Sequence, residues 1–471
     1  MNNANVEQVV VVGAGPAGLA ATTELVNAGA KVLLIDAGER HGGQYWRHNA
    51  GSPFANKHEE MRIVAHPNVD YLAKTNVWAA TYCEGVSTLH LLTDRKEMRE
   101  VNTRALVLAT GAYDRSLPFP GWDLPGVMTA GGVQALLKGQ KTLAGKKFVV
   151  AGTGPLLLPV AVGLIMAGAQ VQAIVEASLP TAWSTKLRAL IYSRNKLRDF
   201  GTFQKIIFKA KVKVHYGSAI IAAHGSDGVE RVTMTKIDRK FRIKPNSKID
   251  IDCDVLAVGW GFTPDLSLAT ALGCNTRIEP RDSSLVVEVD DHQATSLPGV
   301  YAAGEVTGVG GSTLALAEGR IAAINLMLAS GQPGSSTDNA TLKKLSEERK
   351  KHQIFANALL EIYRVADGWT TWQADSTILC RCEEVSVGDL RKAIVELGVT
   401  DSKSAKSLTR IGMGMCQGRM CGQAVTEFVA KECNRKVTLK DLQGGAKRPV
   451  ITPIPLGLFA EGPSGVSRTK G

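Results

Sequence analysis

Four cysteines near the end of the sequence have the types and spacing of a metal-ligating set. Cys380 and Cys382 form a CxC pair in "CRCEEV", and Cys416 and Cys421 form a CxxxxC pair in "CQGRMCG". They are half of the eight cysteines, within 42 of the 471 residues. Structural zinc is usually held by CxxC pairs, whereas a CxC and a distant, glycine-flanked pair favour a [2Fe–2S] cluster. We predict that the four thiolates ligate one cluster, with zinc or unligated thiols as the alternatives.

The beginning of the chain carries a second kind of site. "VVVVGAGPAGLAATTELVNAGAKVLLID" predicts a strand, a turn with Gly13, Gly15 and Gly18 at GxGxxG spacing, a helix and a second strand that ends at Asp36. The glycines permit a tight turn, close approach of a pyrophosphate and close helix–strand packing. The helix N-terminus faces the phosphates, and the acid is placed to accept a hydrogen bond from a ribose hydroxyl. The segment therefore predicts a dinucleotide site.

Later segments favour FAD as the dinucleotide. "RHGGQYWRH" places glycines beside polar and aromatic side chains, "RALVLATGAYDR" is a strand that breaks at a Thr-Gly pair, and "GVYAAGEVTGVGGSTLALAEGR" is a strand followed by an acid and a helix. The last two segments resemble the ATG and terminal acidic motifs of two-dinucleotide-fold flavoproteins. The expected flavin contacts, besides those named above, are Pro16, Ala17, Ala37, Gly43, Gln44, Arg47, Val77, Thr110, Gly111, Gly304, Glu305 and Ser312.

A second strand–glycine–helix–strand segment is weaker. In "VVAGTGPLLLPVAVGLIMAGAQVQAIVE", Gly152 and Gly154 fit the first two glycine positions and Glu176 ends the second strand, but Leu157 replaces the third glycine. Glu176 favours a ribose 2′-hydroxyl over a 2′-phosphate. Two interpretations stay open, a site for NAD or an adenine nucleotide and a fold that only packs.

The order of these segments predicts the domains. A discontinuous FAD-binding domain covers 1–118 and 254–332, and an NAD-like nucleotide-binding domain is inserted at 119–253. A linker and helix at 333–375 lead to a [2Fe–2S]-binding domain at 376–445 and a Pro-rich tail at 446–471. Cys83, Cys253 and Cys274 stand alone, so the CxxC of disulfide reductases is missing and we expect each to be a buried apolar residue. Cys433 lies outside the expected cluster loop.

Composition limits the classes of function. Residues 181–249 carry 16 Lys and Arg against 4 Asp and Glu, so the net charge of this segment alone exceeds the net charge of the whole chain, which is +11. Because no nucleic-acid recognition motif accompanies this charge, we expect no nucleic-acid binding. We find no signal peptide and no apolar run long enough for a transmembrane segment, and therefore expect a cytoplasmic protein with reduced thiols.

The sequence also resembles a known family. "VVGAGPAGLAA", "GGQYWR", "LATGAYDRSLPFPGW", "AGTGPLLLP", "CRCEEV", "CQGRMCG" and "RPVITPIPLGLFA" resemble the FAD and [2Fe–2S] subunit of the opine oxidase and hydrogen cyanide synthase family. Its relatives are the alpha chain of heterotetrameric sarcosine oxidase and dye-linked proline dehydrogenase. The cysteine segment resembles bacterioferritin-associated ferredoxin domains, although those usually close with CxxC. The terminal acid is Glu305, where flavoproteins of this type usually have Asp.

The resemblance implies an α/β two-dinucleotide-binding-domain flavoprotein, like glutathione and thioredoxin reductases, with a small C-terminal [2Fe–2S] domain. It implies a hetero-oligomer, cytoplasmic or peripheral to a membrane, in which a smaller flavoprotein subunit oxidises an amino acid or opine. This chain would relay electrons from that subunit towards an acceptor. Two alternatives are a self-contained NADH-dependent FAD/[2Fe–2S] reductase and a scaffold that binds cofactors only for assembly. No residue is assigned as catalytic.

Overall fold

The computed structural model describes residues 6–7, 9–48, 58–192, 194–331, 339–448 and 450–461. Residues 332–338, which include the beginning of the predicted linker at 333–375, lie outside the described residues, and so do most of the polar lead before Val9 and the tail beyond 461. The strands are β1 (Val6–Glu7), β2 (Val9–Val12), β3 (Val32–Ile35), β4 (Val69–Leu72), β5 (Asn76–Cys83), β6 (Val86–Leu92), β7 (Met98–Thr103), β8 (Leu106–Leu108), β9 (Ala112–Asp114), β10 (Val127–Thr129), β11 (Lys147–Gly152), β12 (Gln170–Glu176), β13 (Lys213–Tyr216), β14 (Ser218–His224), β15 (Arg231–Lys236), β16 (Ile249–Asp252), β17 (Val255–Gly259), β18 (Phe262–Pro264), β19 (Thr276–Ile278), β20 (Leu285–Val287), β21 (Val300–Ala302), β22 (Ile378–Cys380) and β23 (Val385–Ser386).

The helices connect these strands and form most of the C-terminal third. They are α1 (Pro16–Asn27), α2 (Glu59–Arg62), α3 (Ala130–Gln140), α4 (Leu157–Met166), α5 (Leu187–Ile191), α6 (Arg194–Lys209), α7 (Ser267–Leu272), α8 (Ser312–Ala329), α9 (Asn339–Ile362), α10 (Val387–Leu397), α11 (Ser402–Thr409), α12 (Gly422–Glu432), α13 (Leu439–Ala446) and α14 (Leu456–Glu461).

The first dinucleotide fold is a parallel sheet in the order β21-β8-β2-β3-β4. Strands β2 and β3 are buried along their whole length, as expected for a sheet covered on both faces by helices. Helix α1 begins at Pro16, directly after Gly15, where proline's missing N–H costs nothing. The strand, turn, helix and strand predicted from the first glycine motif are therefore confirmed.

Helix α8 packs along α1 on this fold. It is the one helix in the described part of the chain that is long and apolar enough to cross a membrane, but 61% of it is buried within the protein. It also carries a buried carboxylate, Glu318. These features are those of a core helix, and we describe α8 as part of the core.

The second dinucleotide fold is a parallel sheet in the order β10-β17-β11-β12-β13. Strand β17 lies in the middle of it, paired with β10 on one side and β11 on the other. The boundary predicted at residue 254 was therefore wrong, since Val255–Gly259 belongs to the inserted fold. An apolar parallel strand fits either sheet, and its partners are distant in sequence. We propose that the flavin domain resumes at about residue 260.

Two extended segments cross between the folds. Strand β9 leaves the first fold and pairs antiparallel with β18, which returns to it, so that Asp114 lies opposite Phe262. Two smaller sheets, β1-β7-β6-β5 and β14-β15-β16, flank the two folds. Because β9 and β18 are hydrogen-bonded to each other, the two connections between the folds hold one fold in place relative to the other.

The C-terminal module contains the hairpin β22-β23 and helices α10 to α13. It shares one apolar core with the second fold, in which Leu379 and Phe428 are completely buried. Hydrogen bonds join the same surfaces: Trp122 Nε1 donates to the Ile378 carbonyl at 2.5 Å, and Trp372 Nε1 donates to the Phe241 carbonyl at 2.9 Å. The module is thus a packed part of the molecule.

Helix α9 contacts both dinucleotide folds. Near its middle, Arg349 lies 3.6 Å from the buried carboxylate of Glu318 on α8. At its end, Glu361 pairs with Arg281 at 3.5 Å and also with Lys186 of the second fold. The helix thereby braces one fold against the other.

Candidate cofactor sites

One cavity of about 1820 Å³ extends from the first dinucleotide fold to the second. Of the residues predicted from sequence, it is lined by Gly13, Gly15, Pro16, Ala17, Asp36, Ala37, Gly43, Gln44, Arg47, Val77, Thr110, Gly111, Gly304, Glu305, Ser312, Gly154 and Cys416. Residues from nine separate stretches of the chain thus meet around one space. The predicted residues that do not line it are Gly18, Gly152, Glu176, Cys380, Cys382 and Cys421.

The glycine-rich turn of the first fold is packed so closely that side chains at two of its glycines would collide with neighbouring backbone. Gly43 has φ +57°, and a Cβ on it would lie 2.9 Å from the Cα of Gly15. A Cβ on Gly18 would collide with the Gly13 carbonyl, so this glycine serves helix packing without facing the cavity. Such a cradle beside the start of α1 fits the pyrophosphate of a dinucleotide.

Asp36 closes the ribose end of the same site. Its carboxylate accepts hydrogen bonds from the Ala14 N–H at 2.5 Å and from the Gly38 N–H at 2.6 Å. Burial raises the pKa of Asp36, and these two N–H groups act against the rise. The carboxylate lines the cavity with a fixed orientation, which suits a ribose hydroxyl.

Glu305 lies at the start of the glycine-rich turn before α8. Its carboxylate accepts a hydrogen bond from the Gly311 N–H at 2.8 Å. Burial raises the pKa of Glu305 to about 7, and the nearby carboxylate of Glu318 adds to the rise. The longer side chain reaches across the turn, so Glu305 both lines the cavity and orders the loop that precedes Ser312.

A polar network that the sequence analysis did not identify lies between the flavin motifs and the cysteines. Arg419, inside the second cysteine pair, donates to the Ser267 hydroxyl at 3.2 Å and to the Ile451 carbonyl at 2.8 Å. The buried Arg448 donates to the same hydroxyl at 2.8 Å and to the Gln417 carbonyl at 2.8 Å. Arg419 also lines the cavity. The sequence did contain one indication of this network, since Arg419 is a charged residue between the two cysteines of the second pair.

Tyr113 belongs to this network through a hydrogen bond with Arg448. Burial raises the pKa of Tyr113 to about 12, and the Asp265 carboxylate contributes to the rise. Tyr113 lies on β9, one residue before Asp114. The network therefore connects the crossing strands to the cysteine loop.

The structure brings the four predicted cysteines together. Cys421 hydrogen-bonds the sulfurs of Cys380 and Cys416, and Cys416 hydrogen-bonds Cys382. These contacts lower the pKa of Cys380 to about 6 and that of Cys416 to about 5, and they raise the pKa of Cys421. The four sulfurs are thus linked in sequence, from Cys380 through Cys421 and Cys416 to Cys382. No three His, Cys, Asp or Glu side chains of the described residues are grouped so that they could hold a single metal ion. Thiolates are the form that ligates iron.

Backbone N–H groups surround these sulfurs. Cys380 accepts from the Gly412 N–H at 3.4 Å, and the Gly418 N–H lowers the pKa of Cys416. A Cβ on Gly414 would collide with that of Cys382. The two glycine-rich segments thus enclose the cysteines and direct donors at them, which is the environment of a sulfur cluster with net negative charge. The donor set fits the predicted [2Fe–2S] cluster.

A buried ion pair holds the cysteine module against the flavin side. Arg115, which follows β9, donates to Glu427 on α12 at 2.6 Å, and both side chains are largely buried. Glu427 also accepts from Trp369 Nε1 at 3.2 Å and from Gln423 at 3.0 Å. Helix α12 begins directly after Cys421, so this pair fixes the cysteine loop relative to the crossing strands.

The second glycine motif is arranged differently from the first. Glu176 accepts from the Gly154 N–H at 3.1 Å, the Thr153 hydroxyl at 2.9 Å and the Ser178 N–H at 2.8 Å. Burial raises its pKa to about 7. The buried Leu157 begins α4, three residues after Gly154, whereas α1 begins directly after Gly15. A Cβ on Gly152 would collide with the Gly259 carbonyl, so Gly152 serves strand packing.

The remaining cysteines differ in exposure. Cys253 and Cys274 are buried as expected, and burial raises the pKa of both thiols. The prediction for Cys83 was wrong, because it is exposed at the end of β5, where it pairs with Val86 beside the turn into β6. Cys433 is half-buried after α12, and its sulfur lies 3.6 Å from the Val399 carbonyl.

Comparisons with known proteins identify both parts of the chain. Residues 7–331 match the family described as pyridine nucleotide-disulphide oxidoreductase, and residues 378–431 match the BFD-like [2Fe-2S] binding domain. The chain is therefore an oxidoreductase with FAD and a [2Fe–2S] cluster as its cofactors. This confirms the fold class and the cofactors predicted from the sequence.

Individual relatives cover nearly the whole chain. An opine oxidase subunit from Rhizobium meliloti (strain 1021) is 32% identical, over 96% of this chain and 98% of its own. Hydrogen cyanide synthase subunit HcnB of Pseudomonas protegens is 30% identical, over 98% of each chain. L-proline dehydrogenase from P. horikoshii shares the fold, with a TM-score of 0.69 at 19% identity, over 98% of this chain and 81% of its own. The chain belongs to the pyridine nucleotide-disulphide oxidoreductase family and, within it, to the family of these opine oxidase and hydrogen cyanide synthase subunits.

Proposed function

We propose that this chain is the electron-transfer subunit of a hetero-oligomeric amino-acid or opine oxidase or dehydrogenase. It would receive electrons from a smaller flavoprotein subunit that carries the substrate site and pass them towards an acceptor. The names of its relatives, which are subunits of opine oxidase and hydrogen cyanide synthase, support the hetero-oligomer. We place the complex in the cytoplasm.

The observation that carries this proposal is the shared cavity. Gly13, Gly111 and Glu305 of the flavin motifs line it, and so does Cys416 of the cysteine set. The two predicted cofactor sites thus border one connected space, and this supports electron transfer between them. The free thiols outside the cysteine set offer no CxxC pair among the described residues that could carry the electrons instead.

Each group of residues has a separate task in this proposal. FAD would supply two-electron chemistry and the cluster one-electron chemistry. Asp36 and the Gly15–Gly43 cradle would hold the dinucleotide, and Glu305 would order the loop before α8. Arg419 would keep the cysteine loop against Ser267, and thus against the flavin side of the cavity.

The test uses the complex that co-purifies when the chain is co-expressed with the products of its neighbouring genes. In Cys416→Ser we expect the cluster to be lost, FAD to remain, and turnover with the natural acceptor to stop. Substrate should still reduce the partner subunit's flavin. Unchanged turnover in the variant would instead identify the chain as a scaffold.

Rapid mixing with NADH separates the relay from a self-contained reductase. Because Leu157 replaces the third glycine and Glu176 does not line the cavity, we expect slow or no flavin bleaching. Fast bleaching, at or above the rate of complex turnover, would contradict the relay and support the reductase.

A further inference from the structure

The parallel sheet of the second fold has two ends with different surroundings. At one end, Thr129 of β10, Thr153 after β11 and Gly259 of β17 line the cavity. Helices α3, α4 and α6 connect successive parallel strands, so the chain returns along each helix to the opposite end before β11, β12 and β13 begin. This opposite end is formed by segments that do not line the cavity, namely residues 141–147, 166–170 and 205–213.

Lysine is the only charged residue type in these three segments. Their sequences are "KTLAGKK", "MAGAQ" and "KIIFKAKVK", which contain seven Lys and no Arg, Asp or Glu. All seven lysine side chains are exposed. We call the surface formed by the three segments the lysine edge.

The lysines lie close together because the segments lead into adjacent strands. Lys147 and Lys213 each lie opposite a residue of β12, and neighbouring strands are about 4.8 Å apart, so about 10 Å separates the two lysines across the sheet. Asp254, directly before β17, accepts from the Lys147 N–H at 2.8 Å. Burial lowers the pKa of His215 on β13, and the charges of Lys213 and Lys236 lower it further. The edge therefore concentrates positive charge.

Two large apolar side chains are exposed on the same edge. Met166, the last residue of α4, is 76% exposed, and Phe208, beside Lys209 at the end of α6, is 85% exposed. The preceding residue, Ile207, is buried in the core of the second fold. Exposed aromatic and aliphatic side chains next to lysines are the composition of surfaces that lie in a lipid–water interface.

The kind of cation favours a lipid surface over a protein partner. Protein–protein interfaces are enriched in Arg and depleted in Lys. The lysine ammonium is compact, strongly hydrated and carried on a flexible stem, so it can approach a charged headgroup and keep part of its water. The lysine edge contains no arginine.

We propose that the lysine edge attaches the chain to a membrane surface rich in anionic lipids, with Phe208 and Met166 placed among the headgroups. Each lysine near such a surface contributes about a fivefold gain in affinity. Because the cavity lies at the other end of the same strands, attachment leaves it open to a partner subunit. Attachment does not depend on the electron relay, so the two proposals can fail separately.

Vesicle flotation of the full chain, with its cofactors, tests this surface. The probes are vesicles of phosphatidylcholine alone and vesicles in which about a third of the lipid is phosphatidylglycerol. We expect binding to the anionic vesicles only, weakened by added salt. Lys209→Gln, Lys211→Gln and Lys213→Gln combined should weaken it by about a hundredfold, at about fivefold for each lysine. Phe208→Ser should weaken it by about tenfold, because the apolar contact is lost.

The matched control combines Lys343→Gln, Lys344→Gln and Lys350→Gln, exposed lysines on the part of α9 that packs against α8. It removes the same charge and should leave vesicle affinity within about threefold, because charges distant from the contact are screened. FAD and cluster absorption confirm that each variant is folded. Equal weakening by the two triple variants would overturn the proposal, since net charge alone would then explain binding. So would capture of the chain by a DNA duplex without binding to the anionic vesicles, or no binding to them at low salt.

Discussion

Glu427 provides a quantitative test of how the cysteine module is held. Its ion pair with Arg115 spans 312 residues of sequence, and the exposed fractions of the two side chains are 17% and 6%. Removing one partner of a buried pair costs about 3–5 kcal/mol, because the other charge stays buried without compensation. Glu427→Ala also removes the acceptor for Trp369 and Gln423. We therefore expect a loss at the upper part of this range.

Urea unfolding followed by tryptophan fluorescence measures the loss. With a slope of about 2 kcal/mol per M, a loss of 3–5 kcal/mol lowers the midpoint by about 1.5–2.5 M. Glu427→Gln, which keeps hydrogen-bonding capacity but not the charge, should lower it by less. The cluster absorption should disappear at lower urea in Glu427→Ala, since α12 begins directly after Cys421, a predicted ligand.

Glu432 on the same helix supplies the matched control. Its partner Arg391 lies at 3.2 Å, and the two side chains are 28% and 35% exposed. An exposed pair contributes about 0–1 kcal/mol, so Glu432→Ala should move the midpoint by less than about 0.5 M. Equal shifts for Glu427→Ala and Glu432→Ala would refute the reasoning, because burial would then not decide the cost.

Three further predictions concern the sites themselves. Gly15→Val should abolish FAD retention, measured by flavin absorption after gel filtration, because the side chain would fill the space of the pyrophosphate; full occupancy would mean that the motif is misassigned. Serine at Cys380, Cys382, Cys416 or Cys421, the predicted ligands, should remove the visible cluster absorption and the paramagnetic signal of the reduced protein, whereas Cys433→Ser should change neither; one zinc per chain without iron after anaerobic purification would contradict the cluster. Glu176→Gln should reduce the pH dependence of thermal stability. Since burial raises the Glu176 pKa from 4.5 to about 7, its contribution is present below about 4.5 and is lost as pH rises through 7, so an unchanged pH profile would count against this assignment.

Local patterns in the sequence were sufficient where the structure depends on near neighbours. The first glycine motif, α1 and Asp36 follow within 28 residues, and their geometry is set by backbone sterics and helix–strand packing. The spacing of Cys380, Cys382, Cys416 and Cys421 likewise favours ligation, because two tight pairs of cysteines in a protein expected to keep its thiols reduced have few other uses. Both predictions needed no knowledge of the tertiary structure.

The tertiary structure decided everything that depends on distant pairing. The sequence of an apolar strand such as β17 is compatible with either parallel sheet. Only its hydrogen bonding to β10 and β11 assigns it to the second fold. The meeting of Cys416 with the flavin motifs and the covering of Glu176 by the end of α9 join segments that lie far apart in the chain. Such contacts leave no periodicity in the sequence, because they depend on how whole elements pack and not on the residues beside them.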